Sequence, residues 1–323
     1  MSQMTHFVEV LIIGAGMAGL AAASDLHSAG KTVLVIDKTQ ALGGRLAYQQ
    51  MGEAIAEYGA QFVTARSDRF QALLESWQAR GLMEVWFHSG EESGEEYPHY
   101  RGVPTMNVMA QQLAMGLDYT LGKCATSVTL SGNGWLTTLE SGEQICSEAI
   151  VITSPIPQTL ALLEAGHIAM TANDKALLTS IEYDPCITVI ATLHSEPEIP
   201  APGGLAMTVG PIAWLADNQQ KGVSAEPSVT LQASVEYSRK NWERDRREVG
   251  QELLTVAEHL LGASVVDFQV HAWRYSKPKT MSEQPYLTIS DVPKMVLAGD
   301  AFGGPRVEGA VLSGWAAAEA IQG

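Results

Sequence analysis

Near both ends of the chain a short β-branched apolar run breaks at glycine and gives way to an alanine-rich segment. Near the N-terminus, Val10-Leu11-Ile12-Ile13 leads into Gly14-Ala15-Gly16-Met17-Ala18-Gly19 and then Leu20 to Leu26. Near the C-terminus, Met295-Val296-Leu297-Ala298 leads into Gly299-Asp300. There Val307-Glu308-Gly309-Ala310 opens a second such stretch, read as a helix from Ala310 to Ile321. Short, uninterrupted apolar runs bounded by glycine suit buried strands of a parallel sheet, and alanine-rich segments suit helices packed closely on it. Further strands are expected at Thr32 to Ile36, Ala125 to Leu130, Gly134 to Glu140 and Ala149 to Thr153. Turn signals at Ser131-Gly132-Asn133-Gly134 and Ser141-Gly142 separate the last three, and Ser154-Pro155 ends them. The first two of these three read as a hairpin.

Between these pieces the pattern changes. Ser67 to Arg80 places Phe70, Leu73, Leu74 and Trp77 at helical spacing before Gly81. Arg247 to Leu261 is amphipathic, with Val249, Leu253, Leu254, Ala257 and Leu260 on one side and Gly262 as its stop. Ile187 to Leu193 and Ser228 to Val235 read as strands, and the proline- and glycine-rich Glu196 to Gly204 reads as a loop. At 323 residues the chain exceeds one comfortable core, so two domains are expected. The pattern predicts an α/β chain with a discontinuous Rossmann-like domain at 1–66, 107–175 and 288–323. A second, mixed-sheet domain is expected at 67–106 and 176–287.

Composition narrows the class. A hydrophobic content of 46% with 17% charged residues describes a globular protein. A net charge of −16 argues against nucleic acid and anionic membrane surfaces as partners. Cys124, Cys146 and Cys186 form neither a CxxC pair nor a metal-ligand spacing, so no disulfide framework and no metal site are expected. No targeting segment and no membrane-length apolar run is read, and a cytoplasmic location is expected.

The glycine-rich turn carries the chemistry. Gly14 allows the tight turn, Gly16 lets backbone N–H groups approach phosphate, and Gly19 lets helix and strand pack closely. The helix N-terminus then faces the pyrophosphate, with Ala15 and Met17 in the same turn. Asp37 ends the second strand 23 positions after Gly14, where a carboxylate meets ribose hydroxyls, with Lys38 beside it. Leu42-Gly43-Gly44-Arg45 suits a second loop closing on the same pyrophosphate, its guanidinium forking onto oxygen. At the other end, Asp300 after Gly299 suits a polyol such as ribityl. Glu308-Gly309-Ala310 puts no side-chain bulk at the mouth of the last helix, which would favour negative charge on a reduced ring. Together these point to FAD. A side chain at Gly309 is therefore expected to obstruct the flavin and leave folding largely intact.

Three further segments narrow the family. Glu57-Tyr58-Gly59-Ala60-Gln61-Phe62-Val63-Thr64-Ala65-Arg66 follows the GGR loop. His271-Ala272-Trp273-Arg274-Tyr275-Ser276-Lys277-Pro278 precedes the tail LAGDAFGGPRVEGAVLSGWAAAEAI. With the two dinucleotide motifs these resemble the flavin-dependent amine oxidase superfamily, and within it the renalase branch most closely, over nearly the whole chain. The resemblance implies the p-hydroxybenzoate-hydroxylase-like fold. It implies that Ala60, Gln61 and Phe62 lie against the flavin, that Val128 holds adenine through its backbone, and that Arg45, Asp300 and Val307 complete the cofactor contacts. It also brings Trp273, Arg274 and Tyr275 to the substrate side of the ring, although strand alternation sends Arg274 to the face opposite the other two. Pro98 to Asn107 resembles a superfamily segment leading into a helix, where His99 reads first as structural and second as a base.

Flavin performs the difficult step by accepting hydride at N5. With one dinucleotide fingerprint, FAD leaves no second fold for ordinary NAD(P)H. With no cysteine beyond Cys186, the FAD is expected to be noncovalent. The renalase branch oxidises dihydronicotinamide isomers carrying hydride at C2 or C6 to NAD(P)+, and O2 becomes H2O2. Trp273, Tyr275, Arg274 and Gln61 offer an aromatic wall and polar groups for such a ring. The alternative is a flavin amine oxidase acting on a small amine, for which Lys277 and Lys279 are poorly placed. A flavin-loaded sensor without turnover is a third class. Oligomeric state is not legible.

Overall fold

The computed structural model describes residues 5–90 and 96–323, which fall into two compact units. The first comprises Met1–Gly44, Met109–Glu182 and Pro278–Gly323, and the second Arg45–Val108 and Tyr183–Lys277. The boundary thus cuts the GGR motif between Gly44 and Arg45.

In the first unit the strand Thr5–Ile13 lies between Gln144–Ile152 and Val33–Ile36, both parallel to it. Lys294–Leu297 and Asp118–Thr120 extend the parallel sheet on either side, and Leu287–Asp291 adds an antiparallel edge. The hairpin Ala125–Ser131/Gly134–Leu139 joins through its second strand to Gln144–Ile152. Val10, Leu11, Ile12, Ile150, Val151, Ile152 and Val296 are buried, as continuous apolar runs in a sheet covered on both faces require. The helices Met17–Ser28 and Val307–Gln322, drawn from opposite ends of the chain, pack together. Alanine-rich sequence is what lets them approach.

In the second unit five strands run in the order Gly204–Ala206, Ile212–Asp217, Ser228–Ala233, Tyr183–Leu193 and Val265–Pro278. The helix Arg246–Leu261 buries Val249, Leu253, Leu254, Ala257 and Leu261 with Ile187, Val189, Leu215 and Leu231 of the sheet. Each buried valine, leucine or isoleucine among them contributes roughly 1.5–3 kcal/mol. Asp245 caps this helix by accepting from the Arg247 and Glu248 amides, and Gly262 ends it in the left-handed region at φ 56°. Asp68–Ala79 buries Phe70, Leu74 and Trp77 as its spacing predicts. Two hairpins, Tyr48–Met51/Ala54–Glu57 and Met83–Gly90/Glu96–Gly102, complete the unit.

The strand expected to run through Val235 stops at Ala233. Ser234 caps a new helix, Val235–Lys240, by accepting from the Tyr237 amide. The C-terminal helix begins at Val307 rather than Ala310. Among the described residues no helix is long and apolar enough to cross a membrane. The three cysteines are free.

Candidate functional site

In the first unit, Gly14 has φ +115°, and a Cβ there would fall 2.4 Å from Thr153 Oγ1. At Gly19 a Cβ would fall 1.9 Å from Gly14 O, so turn and helix meet backbone to backbone. By contrast nothing stands within 4 Å of a Cβ at Gly16, the extended N-cap of Met17–Ser28, and no side chain caps that helix. The Gly43-Gly44 turn lies along this opening. Gly43 N–H donates to Ala15 O at 2.8 Å, and Gly16 and Gly43 form a parallel bridge. Two backbone turns and an uncapped helix end are the cradle that a pyrophosphate fills.

Asp37 Oδ2 accepts the Ala15 N–H at 2.7 Å, while Oδ1 accepts Thr39 N–H and Oγ1, each at 2.7 Å. A carboxylate has about four acceptor positions, so a ribose hydroxyl can still be held. Lys38 is exposed and donates to Gln158 Oε1 at 3.2 Å. Val128 is fully buried, and Gly166 lies against its backbone so closely that a Cβ would fall 1.7 Å from Val128 O.

Gly299, at φ +142°, donates its N–H to Ser313 Oγ at 2.8 Å, and that hydroxyl donates to Pro285 O at 2.6 Å. This fixes the strand end that presents the buried Asp300. The helix Val307–Gln322 has no side-chain cap, and Val307 and Ala310 are half-buried. Gly309 differs from the expected open mouth. A Cβ there would stand 2.3 Å from Gly304 O and 2.6 Å from Gly303 O, so close backbone packing by itself requires glycine.

In the second unit, Arg45 Nη1 donates to the carbonyls of Tyr275 at 3.4 Å and Ser276 at 2.9 Å. The segment after it folds back, with Tyr58 N–H donating to Ala47 O and Ala60 N–H to Arg45 O. Tyr58 stacks on His271, centroids 3.7 Å apart at 9°, and on Trp273 at 5.5 Å and 20°. Trp273 Nε1 donates to Tyr58 O at 2.9 Å. Tyr275 packs edge-on to Tyr183. His271, Trp273 and Tyr275 alternate along one face of Val265–Pro278. Arg274 takes the other face, its guanidinium 5.0 Å from the Trp242 ring centroid and 3.8 Å from Glu243. The structure therefore keeps Arg274 apart from its two neighbours.

The Gln61 amide is held internally. Its Nε2 donates to Glu57 O at 2.9 Å and Gly59 O at 3.2 Å, and its Oε1 accepts from Lys221 Nζ at 3.4 Å. Both Nε2 donors of Gln61 are thus engaged within the turn, and a polar group facing a substrate could meet only its Oε1. Phe62 joins a ring cluster with Phe87, His99 and Trp214. His99 lies in the strand Glu96–Gly102 and stacks on Phe87 at 4.3 Å. Its ring nitrogens meet Tyr97 O and Ser89 Oγ, which suits structure better than proton transfer. Burial lowers the pKa of His99 and of His271, favouring neutral rings, and raises that of the Tyr58 phenol. Among the described residues no group of three or more His, Cys, Asp or Glu is placed to hold a metal.

Sequence reasoning missed Tyr58 as the centre of the ring stack. It also missed the buried pair Glu57–Lys221. The signal that could have found Tyr58 is its place directly before Gly59-Ala60-Gln61-Phe62, an aromatic ring beside the segment expected at the flavin. Lys221 sits in the polar run Asp217-Asn218-Gln219-Gln220-Lys221-Gly222, which reads as solvated loop.

Comparison with known proteins gives the family. Residues 12–77 match an NAD(P)-binding Rossmann-like domain, and residues 70–322 match the flavin-containing amine oxidoreductase family. Mouse (Mus musculus) renalase is 22% identical over 94% of this chain and 96% of its own length. Putrescine oxidase of Kocuria rosea is 36% identical, but over only 21% of this chain and 14% of its own. A solved putrescine oxidase with putrescine bound superposes with a TM-score of 0.73 at 15% identity, covering 99% of this chain and 100% of that one. That likeness shows a shared fold. A family match across residues 70–322, joined to the dinucleotide turn before it, makes this chain a member of the flavin-containing amine oxidoreductases, with FAD as its cofactor.

Proposed function

We propose that the protein is an FAD-dependent oxidase of dihydronicotinamides, converting 2- and 6-dihydro isomers of NAD(P)H to NAD(P)+ while O2 becomes H2O2. The similarity to renalase along the whole chain, where similarity in sequence to putrescine oxidase spans about a fifth, carries this reading. In it Ala60, Gln61 and Phe62 face the flavin, and Trp273 and Tyr275 stand on the substrate side. Arg274 has no part.

Bound FAD supplies a two-electron acceptor at N5 whose reduced form reacts with O2. The residues then have little acid–base work. A dihydropyridine that loses hydride becomes a pyridinium with no proton to remove. The rings of Tyr58 and Trp273, with His271 kept neutral by burial, offer flat faces that exclude water and favour a nearby aromatic cation. Anaerobic mixing tests this reading. The 2- and 6-dihydro isomers should bleach the flavin rapidly and stoichiometrically, while ordinary NAD(P)H and biogenic amines act slowly or not at all. Rapid, saturable bleaching by an amine with the isomers inert would reverse the assignment.

Oxidation of a small amine is the second reading. One observation favours it: Lys221 is a buried lysine hydrogen-bonded to Gln61, where the sequence offered only Lys277 and Lys279. Its ammonium is already held by Glu57 at 2.5 Å, which leaves it poorly suited as a base.

The FAD is proposed to be noncovalent. The last cysteine, Cys186, is half-buried, and burial raises the pKa of its thiol, which makes it a poor nucleophile for a flavin. Acid precipitation should release the yellow colour into the supernatant as FAD. Colour kept by the washed pellet would overturn this.

A further inference from the structure

Lys221 and Glu57 form an ion pair whose side chains are 0% and 1% exposed. Such a pair needs a reason, because two apolar side chains of similar size often stabilise as well or better. The contacts supply one. The Lys221 ammonium has three donors: it reaches Glu57 Oε2 and Gln61 Oε1, and stands 4.7 Å from the Trp86 ring centroid. Pointing Gln61 Oε1 at Lys221 turns its Nε2 onto Glu57 O and Gly59 O. Glu57 Oε1 accepts the Met106 N–H, tying the same carboxylate to another segment. Thr230 Oγ1 donates to Glu57 O at 2.8 Å, and Gln232 Nε2 to Gly59 O at 2.7 Å. Every one of these bonds fixes the turn from Glu57 to Gln61.

We propose that Lys221 and Glu57 are positioning residues, which act through Gln61 to hold Tyr58–Phe62 in the geometry that lies against the flavin ring. This rests on the flavin-facing role proposed for Ala60–Phe62. The pair does not touch the reacting atoms. It sets where the backbone of the turn and the Tyr58 ring stand.

The test uses the FAD-loaded double variant Glu57→Gln/Lys221→Met, which removes both buried charges and keeps an acceptor for the Met106 amide. Flavin content should stay near wild type, since the dinucleotide turn is untouched. The visible circular dichroism of the oxidised flavin should change. Anaerobic reduction per bound flavin should slow on the order of 100-fold, as small misplacements of a reacting group do. A pair with a merely structural role would lower the melting temperature and leave the spectrum and rate per flavin unchanged, and that result overturns the proposal. If the double variant does not fold, Gln61→Leu keeps the ion pair and removes its link to the turn, together with the bonds from Gln61 Nε2 to Glu57 O and Gly59 O. The same spectral change and slowing are expected there, and a wild-type spectrum and rate would again overturn it. Wild-type protein that binds no flavin would sink the underlying reading itself, which the spectrum distinguishes without any substrate.

Discussion

Gly309→Leu should yield a protein that fails to fold, not a folded protein that merely lacks flavin. Sequence alone suggested that a side chain at this position would obstruct the cofactor and leave folding intact. The structure replaces that reading, because the added Cβ would meet two backbone carbonyl oxygens at 2.3 and 2.6 Å. Neither can rotate away as a side chain does. Overpacking of this kind costs about 3 kcal/mol or more. Even Gly309→Ala should lower the melting temperature measurably. A folded leucine variant with a wild-type melting temperature and no bound FAD would restore the simpler reading.

Asp37→Ala should strip the protein of FAD at concentrations that saturate the wild type. The carboxylate orders the Ala15 and Thr39 amides as well as offering an acceptor to the ribose, so its loss loosens the turn and removes a ligand contact together. Losing one charge-assisted hydrogen bond to ligand costs about 2 kcal/mol, roughly 30-fold in affinity, before any loosening is counted. Asp37→Asn keeps one acceptor oxygen and should fall between the two. Titration of apoprotein with FAD, followed by flavin fluorescence, measures all three. Equal affinity in wild type and Asp37→Ala would show that the carboxylate serves only the turn.

The first unit was legible because its constraints are local. A turn at positive φ, a closely packed helix and a carboxylate at a strand end each need a particular residue at a particular spacing, and Gly14, Gly19 and Asp37 supply them within a short stretch. Much of the second unit was not. Tyr48–Met51 is too polar to read as a strand, and Val235 looks like strand until Ser234 is seen capping a helix. The Glu57–Lys221 pair joins residues 164 positions apart, and no local period records such a contact. The alternation in Val265–Pro278 was legible enough to set Arg274 against its neighbours, as the structure does. Gln61 was legible as a motif residue, but nothing near it in sequence shows where its amide is held.

The pairing of the first and last helices has a consequence for synthesis. Thr5–Ile13 is made more than a hundred residues before its neighbour Gln144–Ile152, and Lys294–Leu297 and Val307–Gln322 follow later still. The second unit, made of residues 45–108 and 183–277, is fully translated before those final pieces exist. At roughly 5–20 residues per second, the nascent chain holds an unfinished apolar sheet for many seconds. Chaperone demand and sensitivity to C-terminal truncation should therefore be high in this protein, because deletion of Val307–Gln322 removes the partner against which Met17–Ser28 closes.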